Sequence, residues 1–69
     1  MSQHHPYLVH AWPEHRWWVV SVPDLDAFAQ VQRREEIGIA ASELIAEWAP
    51  RSRQNAEYTL EVLDGPPAG

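Results

Sequence analysis

The sequence predicts a small α+β domain in the order β-β-β-α-β, with one helix on one face of a small antiparallel sheet. Three observations predict it. Segments with period-two alternation lie on both sides of one amphipathic helix pattern, proline- and aspartate-rich turns separate them, and 69 residues suffice for one domain. We expect residues 1–63 to form that domain and residues 64–69 to be a disordered tail.

The first three predicted strands form an antiparallel meander. Residues 7–12 alternate, with Tyr7 and Val9 on one face, and Pro13 is expected to end this strand in a turn. Residues 17–22 combine β-branched and aromatic side chains and are the strongest strand signal. A Pro-Asp turn then folds residues 27–31 back as a weaker third strand.

One helix and a last strand complete the prediction. Between residues 34 and 48, apolar side chains recur at helical spacing, which places Trp48 on the core stripe with Ile37 and Leu44. Pro50 ends this helix, and residues 58–63 alternate again as a strand. The helix start lacks a Ser, Thr, Asp or Asn cap.

Composition and charge exclude several classes of function. The net charge is −5, because five arginines and no lysine oppose ten carboxylates, so direct nucleic-acid binding is not expected. Without cysteine there is no disulfide and no zinc–thiolate site. No apolar run approaches a membrane span and the N-terminus does not look like a signal peptide, so we expect a cytoplasmic protein.

The residues that carry chemistry do not form a recognisable active site. The histidines are His4, His5, His10 and His15, and their spacing matches no metal site. Asp24 and Asp26 fit a turn better than a magnesium site. The sequence offers neither a Ser–His–Asp arrangement nor a glycine-rich phosphate loop. We therefore predict no catalytic residue, cofactor or metal, and no enzyme activity.

An uncovered sheet face is the main indication of a binding function. One helix covers one face, so Trp17 and Val19, which alternate with Trp18, point to the other face and are predicted interface contacts. Ile39, nearly opposite the helix core stripe, is a further predicted contact. The predicted acidic helix face, which would steer a basic partner, consists of Glu36, Glu43 and Glu47.

The thin core of such a short chain also predicts a homodimer or higher homo-oligomer. The sequence leaves open which sheet edge or face forms that interface.

Residues 17–25, Trp-Trp-Val-Val-Ser-Val-Pro-Asp-Leu, resemble a recurrent signature of the HicB family, in which an aromatic–valine strand runs into a Val-Pro-Asp-Leu turn. Residues 34–45 resemble the helix of that family, with paired acids, then small residues, then an aliphatic end. The aromatic opening at residues 7–9 and the closing strand lie in the expected order. The resemblance is to the N-terminal domain, without the DNA-binding extension of many members.

The resemblance implies a partial ribonuclease-H-like fold and an antitoxin function. HicB-like proteins bind HicA, a small basic mRNA-cleaving toxin, mask its catalytic histidine and commonly form dimers or tetramers. An acidic protein with an uncovered sheet face fits that role. The alternative is an orphan self-associating structural domain that has no toxin partner, and a small enzyme is a distant third.

Overall fold

The computed structural model describes residues 5–67. Within that range the chain forms four strands and one α-helix, in the predicted order. The bounds are β1 Tyr7–Glu14, β2 Trp17–Val22, β3 Ala27–Val31, α1 Ile37–Trp48 and β4 Tyr58–Val62. The protein is therefore a small α+β domain with one helix on one face of its sheet.

The sheet is mixed, so the prediction of an antiparallel sheet was wrong at β4. The strand order is β3-β2-β1-β4. The pairs β1–β2 and β2–β3 are antiparallel as predicted, whereas β1 and β4 are parallel. The reason is the crossover: α1 carries the chain back along the sheet, so β4 runs in the same direction as β3 and hence as β1.

The prediction that Pro13 ends β1 was also wrong. β1 continues to Glu14, and Pro13 pairs with Trp18 inside the ladder. The chain reverses at His15 and Arg16, with His15 in the left-handed region at φ 57°.

Backbone direction explains why β1 tolerates this proline. The Tyr7 amide donates to the Glu57 carbonyl at 2.9 Å, and the Ala11 carbonyl accepts from the Leu63 amide at 2.8 Å. The backbone N–H and C=O groups of the odd-numbered residues of β1 therefore point toward β4. Pro13 therefore also turns its nitrogen to that side, where the β4 register has already ended at Ala11. Its missing N–H interrupts no ladder hydrogen bond.

The core lies between α1 and the helix-facing side of the sheet. The largest fully buried side chains are Ile37, Ile45, Val9, Val20 and Val22. Their positions confirm the predicted helix stripe and the predicted inward faces of β1 and β2. α1 packs mainly against β2 and β3, which leaves β4 less covered on the same side.

Trp48 is not a core residue, contrary to the prediction. It is the last residue of α1 and its side chain is 60% exposed, while the small Ala49 that follows is buried. Helical periodicity gives the direction in which a side chain points, but not whether a neighbouring element extends far enough to cover it.

The helix start is capped by a side chain that sequence rules did not nominate. A 3₁₀ turn, Arg34–Glu36, leads into α1, and Oε1 of Glu36 accepts a hydrogen bond from the Arg33 backbone N–H at 2.9 Å. This is the glutamate half of a capping box, formed without a Ser or Thr at its start.

The predicted tail is described only in part. Residues 64–67 form no helix or strand, and residues 68 and 69 lie outside the described residues. Within residues 5–67, no helix has both the length and the apolar character needed to cross a membrane.

Candidate protein-binding surface

The side of the sheet opposite α1 is called the open face here. Strand alternation and register assign eleven side chains to it: Leu8, His10, Trp12, Glu14, Trp17, Val19, Ser21, Phe28, Gln30, Thr59 and Glu61. Among residues 5–67, no helix or strand packs over them. The face is thus available to a partner.

Large apolar side chains occupy much of the open face. Phe28 is 72% exposed and Trp17 is 40% exposed, whereas Trp12 and Val19 are buried among their neighbours. A shallow depression of about 360 Å³ lies on this face, lined by Trp12, Glu14, Val19, Ser21, Phe28 and Gln30. Exposed aromatic side chains around a shallow depression are typical of a protein-binding surface.

Two carboxylates lie on the open face. The Trp12 indole N–H donates to Oε2 of Glu14 at 3.3 Å. Oε1 of Glu61 lies 3.6 Å from Nε2 of His10, its register partner on β1. Glu61 is exposed, on the edge strand β4. No arginine lies among the eleven side chains of this face, so its formal charges are negative.

His10 also contributes a polar atom without a partner. Its Nδ1 is buried and has no hydrogen-bond partner among the described residues. The imidazole lies between Ser21 and Glu61 in the register of the sheet.

The structure separates the predicted interface residues into different surfaces. Trp17 and Val19 lie on the open face as predicted, and Val19 is buried there. Ile39, Glu43 and Glu47 are exposed on the outer side of α1, across the molecule from the open face.

Glu36 differs from the other two predicted steering acids. It is half-buried, and its carboxylate accepts a hydrogen bond from the Arg33 amide.

The open face and the acidic helix face lie on opposite sides of the molecule. A flat partner therefore cannot contact both of them together.

Phe28 and Leu8 were missed as candidate contacts. Phe28 lies opposite Ser21 and Leu8 lies opposite Thr59, which places both on the open face. The signal was present in the alternation of each strand, because Phe28 is out of phase with the inward Ala27 and Ala29. The weak pattern of the third strand concealed it.

The other candidate groups do not converge on a chemical site. Among residues 5–67, no cluster of three or more histidine or carboxylate side chains is placed to hold a metal ion, and His4 lies outside the described residues. Asp24 lies in a 3₁₀ turn. Asp26 follows it at φ 51°, with its amide bonded to the Pro23 carbonyl at 3.0 Å. Aspartate tolerates such a left-handed position, so Asp26 fits the turn.

Two arginines lie against aromatic rings. The Arg53 guanidinium lies 4.7 Å from the centre of the Tyr7 ring and donates to the His5 carbonyl oxygen, which ties the loop after α1 to the start of β1. The Arg34 guanidinium lies 5.7 Å from the centre of the Trp18 ring. These contacts hold cationic side chains on the helix side of the sheet.

Comparisons of this chain with protein-family models, with curated proteins and with solved structures found no match.

Proposed function

We propose that this chain is an antitoxin-like protein-binding module that neutralises a small basic HicA-type mRNA-cleaving toxin. In this proposal the open face covers the toxin's active site. The observation that carries the proposal is the open face itself, which presents the exposed Phe28 and Trp17 together with two acids. Glu14 lies opposite Trp17, and Glu61 lies on the edge strand β4.

The physical argument concerns both affinity and encounter rate. Exposed aromatic side chains with a polar rim supply the anchor residues on which most interface free energy depends. The net charge of −5 and the two open-face carboxylates favour a cationic partner over an anionic one. Such complementarity raises the association rate more than it raises the final affinity.

The resemblance to HicB supplies the identity of the partner. Its signature, residues 17–25, forms β2 and the turn after it, so it lies at the centre of the sheet that carries the open face. A small α+β domain with one helix is compatible with the partial ribonuclease-H-like fold that the resemblance implies. The proposal also places the protein in the cytoplasm, where such a toxin meets mRNA, and assigns it no catalytic step.

The first test is capture of the partner. The tagged chain is purified from the cells that produce it, and co-purifying proteins are identified by mass spectrometry. We expect one small basic protein in stable proportion, and the purified chain should inhibit that protein's cleavage of mRNA. Recovery of the chain alone would contradict the proposal.

A matched pair of tryptophan variants tests the surface. Trp17→Glu changes the open face, whereas Trp48→Glu changes a more exposed tryptophan at the end of α1. We expect Trp17→Glu to weaken toxin binding by roughly thirtyfold or more, as for a hot-spot residue, and Trp48→Glu to have little effect. Binding affinity is measured by calorimetric titration. Equal losses of affinity for both variants would show that the open face does not bind the toxin.

The second candidate function is an orphan self-associating domain without a toxin. It is favoured by a separate observation, the exposed apolar side chains Leu60 and Val62 at the sheet edge. Purification of the chain only with itself, as a dimer or larger, would support this alternative.

A further inference from the structure

We infer that two copies of this chain pair antiparallel along their β4 strands, with Leu60 opposite Leu60 of the second copy. The two four-stranded sheets then become one continuous eight-stranded sheet. This inference concerns the edge of β4, not the open face, and it stands independently of the proposed toxin partner.

The backbone of β4 leaves a regular row of hydrogen-bonding groups at its outer edge. The Glu57 carbonyl and the Leu63 amide both bond to β1. Because backbone direction alternates along a strand, Tyr58, Leu60 and Val62 turn their N–H and C=O groups away from β1. Among residues 5–67, no strand pairs with this outer edge.

The side chains of the same residues leave apolar surface exposed. Tyr58, Leu60 and Val62 lie on the helix side of the sheet, in register with residues 7, 9 and 11 of β1. Leu60 is 40% exposed and Val62 is 41% exposed, although their partners Val9 and Ala11 are fully buried. The exposure arises because α1 packs mainly over β2 and β3. It reaches β4 at Tyr58, whose hydroxyl donates to the Gly38 carbonyl oxygen at 3.4 Å, while Leu60 and Val62 remain exposed.

The sequence of β4 is self-complementary when it is centred on Leu60. Tyr58 then lies opposite Val62 of the second copy, and Thr59 lies opposite Glu61. The residues of each strand whose backbone groups point away from β1 are Tyr58, Leu60 and Val62. In this register all three form hydrogen-bonded pairs with the second copy, which gives about six hydrogen bonds. No two like charges face each other in this register.

Neighbouring registers are less favourable. Centring the pair on Glu61 places two carboxylates directly opposite each other, which destabilises a strand pair. Centring it on Thr59 leaves Val62 beyond the other strand and forms fewer hydrogen bonds within β4. The chemistry therefore selects one register.

The other sheet edge, β3, is a weaker candidate. Its pairs with β2 leave only Phe28 and Gln30 with outward backbone groups, so an antiparallel pair there forms about four hydrogen bonds. α1 already packs on its helix side and buries Ala27. On the helix side of the sheet, pairing at β3 thus covers less new apolar surface than pairing at β4.

The first experiment compares two leucines of equal exposure. Leu60→Lys places two ammonium groups opposite each other at the centre of the proposed pair. Leu8→Lys, the control, changes a leucine that is also 40% exposed but lies on the open face of β1. Molar mass is measured by analytical ultracentrifugation, and circular dichroism checks that each variant is folded.

We expect the unaltered chain and Leu8→Lys to be dimers. Leu60→Lys should raise the dimer dissociation constant roughly tenfold or more. A monomeric unaltered chain, or a Leu60→Lys variant that dimerises as tightly as the Leu8→Lys control, would overturn the inference. Either result leaves the toxin-binding proposal untouched, because that proposal is tested on the open face.

A second variant tests the register and does not depend on destabilising the chain. Thr59→Lys places an ammonium group opposite Glu61 of the second copy, twice in each dimer. We expect a dissociation constant roughly two- to thirtyfold lower at low salt, with the difference shrinking as salt is added. If Thr59→Lys weakens the dimer, Thr59 does not face Glu61 and the proposed register is wrong.

Discussion

At the scale of single residues, two isoleucines of α1 differ in the side of the helix on which they lie. Ile45 is 1% exposed and packs in the core, whereas Ile39 is 63% exposed on the outer side. Removing methyl and methylene groups from a filled core costs the lost transfer free energy and leaves a cavity.

We predict that Ile45→Ala lowers the free energy of unfolding by about 2–5 kcal/mol, and that Ile39→Ala changes it by less than about 0.5 kcal/mol. Urea unfolding followed by circular dichroism gives both values. Similar losses for the two variants would mean that α1 presents a different face to the sheet.

Trp17 and Trp12 show how register decides the role of an aromatic residue on one face. Trp12 lies in the middle of β1, opposite Val19, and its indole N–H is bonded to Glu14. Trp17 lies next to the β1–β2 turn, opposite Glu14, where fewer side chains surround it. Trp17 is therefore the more accessible of the two and, in the proposed function, the better anchor for a partner.

At the scale of elements, the start of α1 depends on one glutamate. Glu36 accepts the Arg33 amide at 2.9 Å and lies near the positive end of the helix dipole. Glu43, in the middle of the same helix, is exposed and serves as the matched control.

We predict that Glu36→Ala lowers the free energy of unfolding by about 0.5–2 kcal/mol, while Glu43→Ala has little effect. Glu36→Gln should retain most of the stability, because an amide oxygen can still accept the Arg33 N–H. These values come from denaturant unfolding of the three variants. An Ala variant as stable as the Gln variant would exclude a capping role for Glu36.

The parallel β4 strand determines where the sheet keeps an unpaired edge and exposed apolar side chains. After the helical crossover, β4 adds to the sheet edge beside β1, while α1 packs mainly over β2 and β3 and contacts β4 at Tyr58. This offset exposes Leu60 and Val62 and leaves the outer edge of β4 unpaired within the described chain.

At the scale of the whole molecule, two apolar surfaces lie on different sides of one thin domain. The open face is proposed for a basic partner and the β4 edge for a second copy. In these two proposals, pairing at the edge leaves both open faces on the same side of the joined sheet, so the proposed dimer would present two toxin-binding surfaces.

Self-association should also appear in thermal stability. If folding and pairing are coupled, the midpoint of thermal unfolding rises with protein concentration. We predict a measurable rise by differential scanning calorimetry over a roughly hundredfold range of concentration for the unaltered chain, and a smaller rise for Leu60→Lys. A concentration-independent midpoint for the unaltered chain would count against a dimer that contributes to its stability.

Local patterns determined the element order, the bounds of α1 to within a few residues and the inward faces of β1 and β2. These features follow from helix and strand periodicity and from turn residues, which act over a few positions along the chain. For the same reason, Trp17 and Val19 were placed on the open face from alternation alone.

The tertiary structure decided what local patterns do not encode. It set the direction of β4 and the position of α1 over β2 and β3, and it left Trp48 exposed. It also placed the Pro13 nitrogen on the side of β1 that faces β4, beyond the last residue that pairs with β4. Each outcome depends on which distant element lies beside a residue, and periodicity along one segment carries no information about that neighbour. The sequence thus determined which side chains point together, and the packing of α1 on the mixed sheet determined which of them remain exposed.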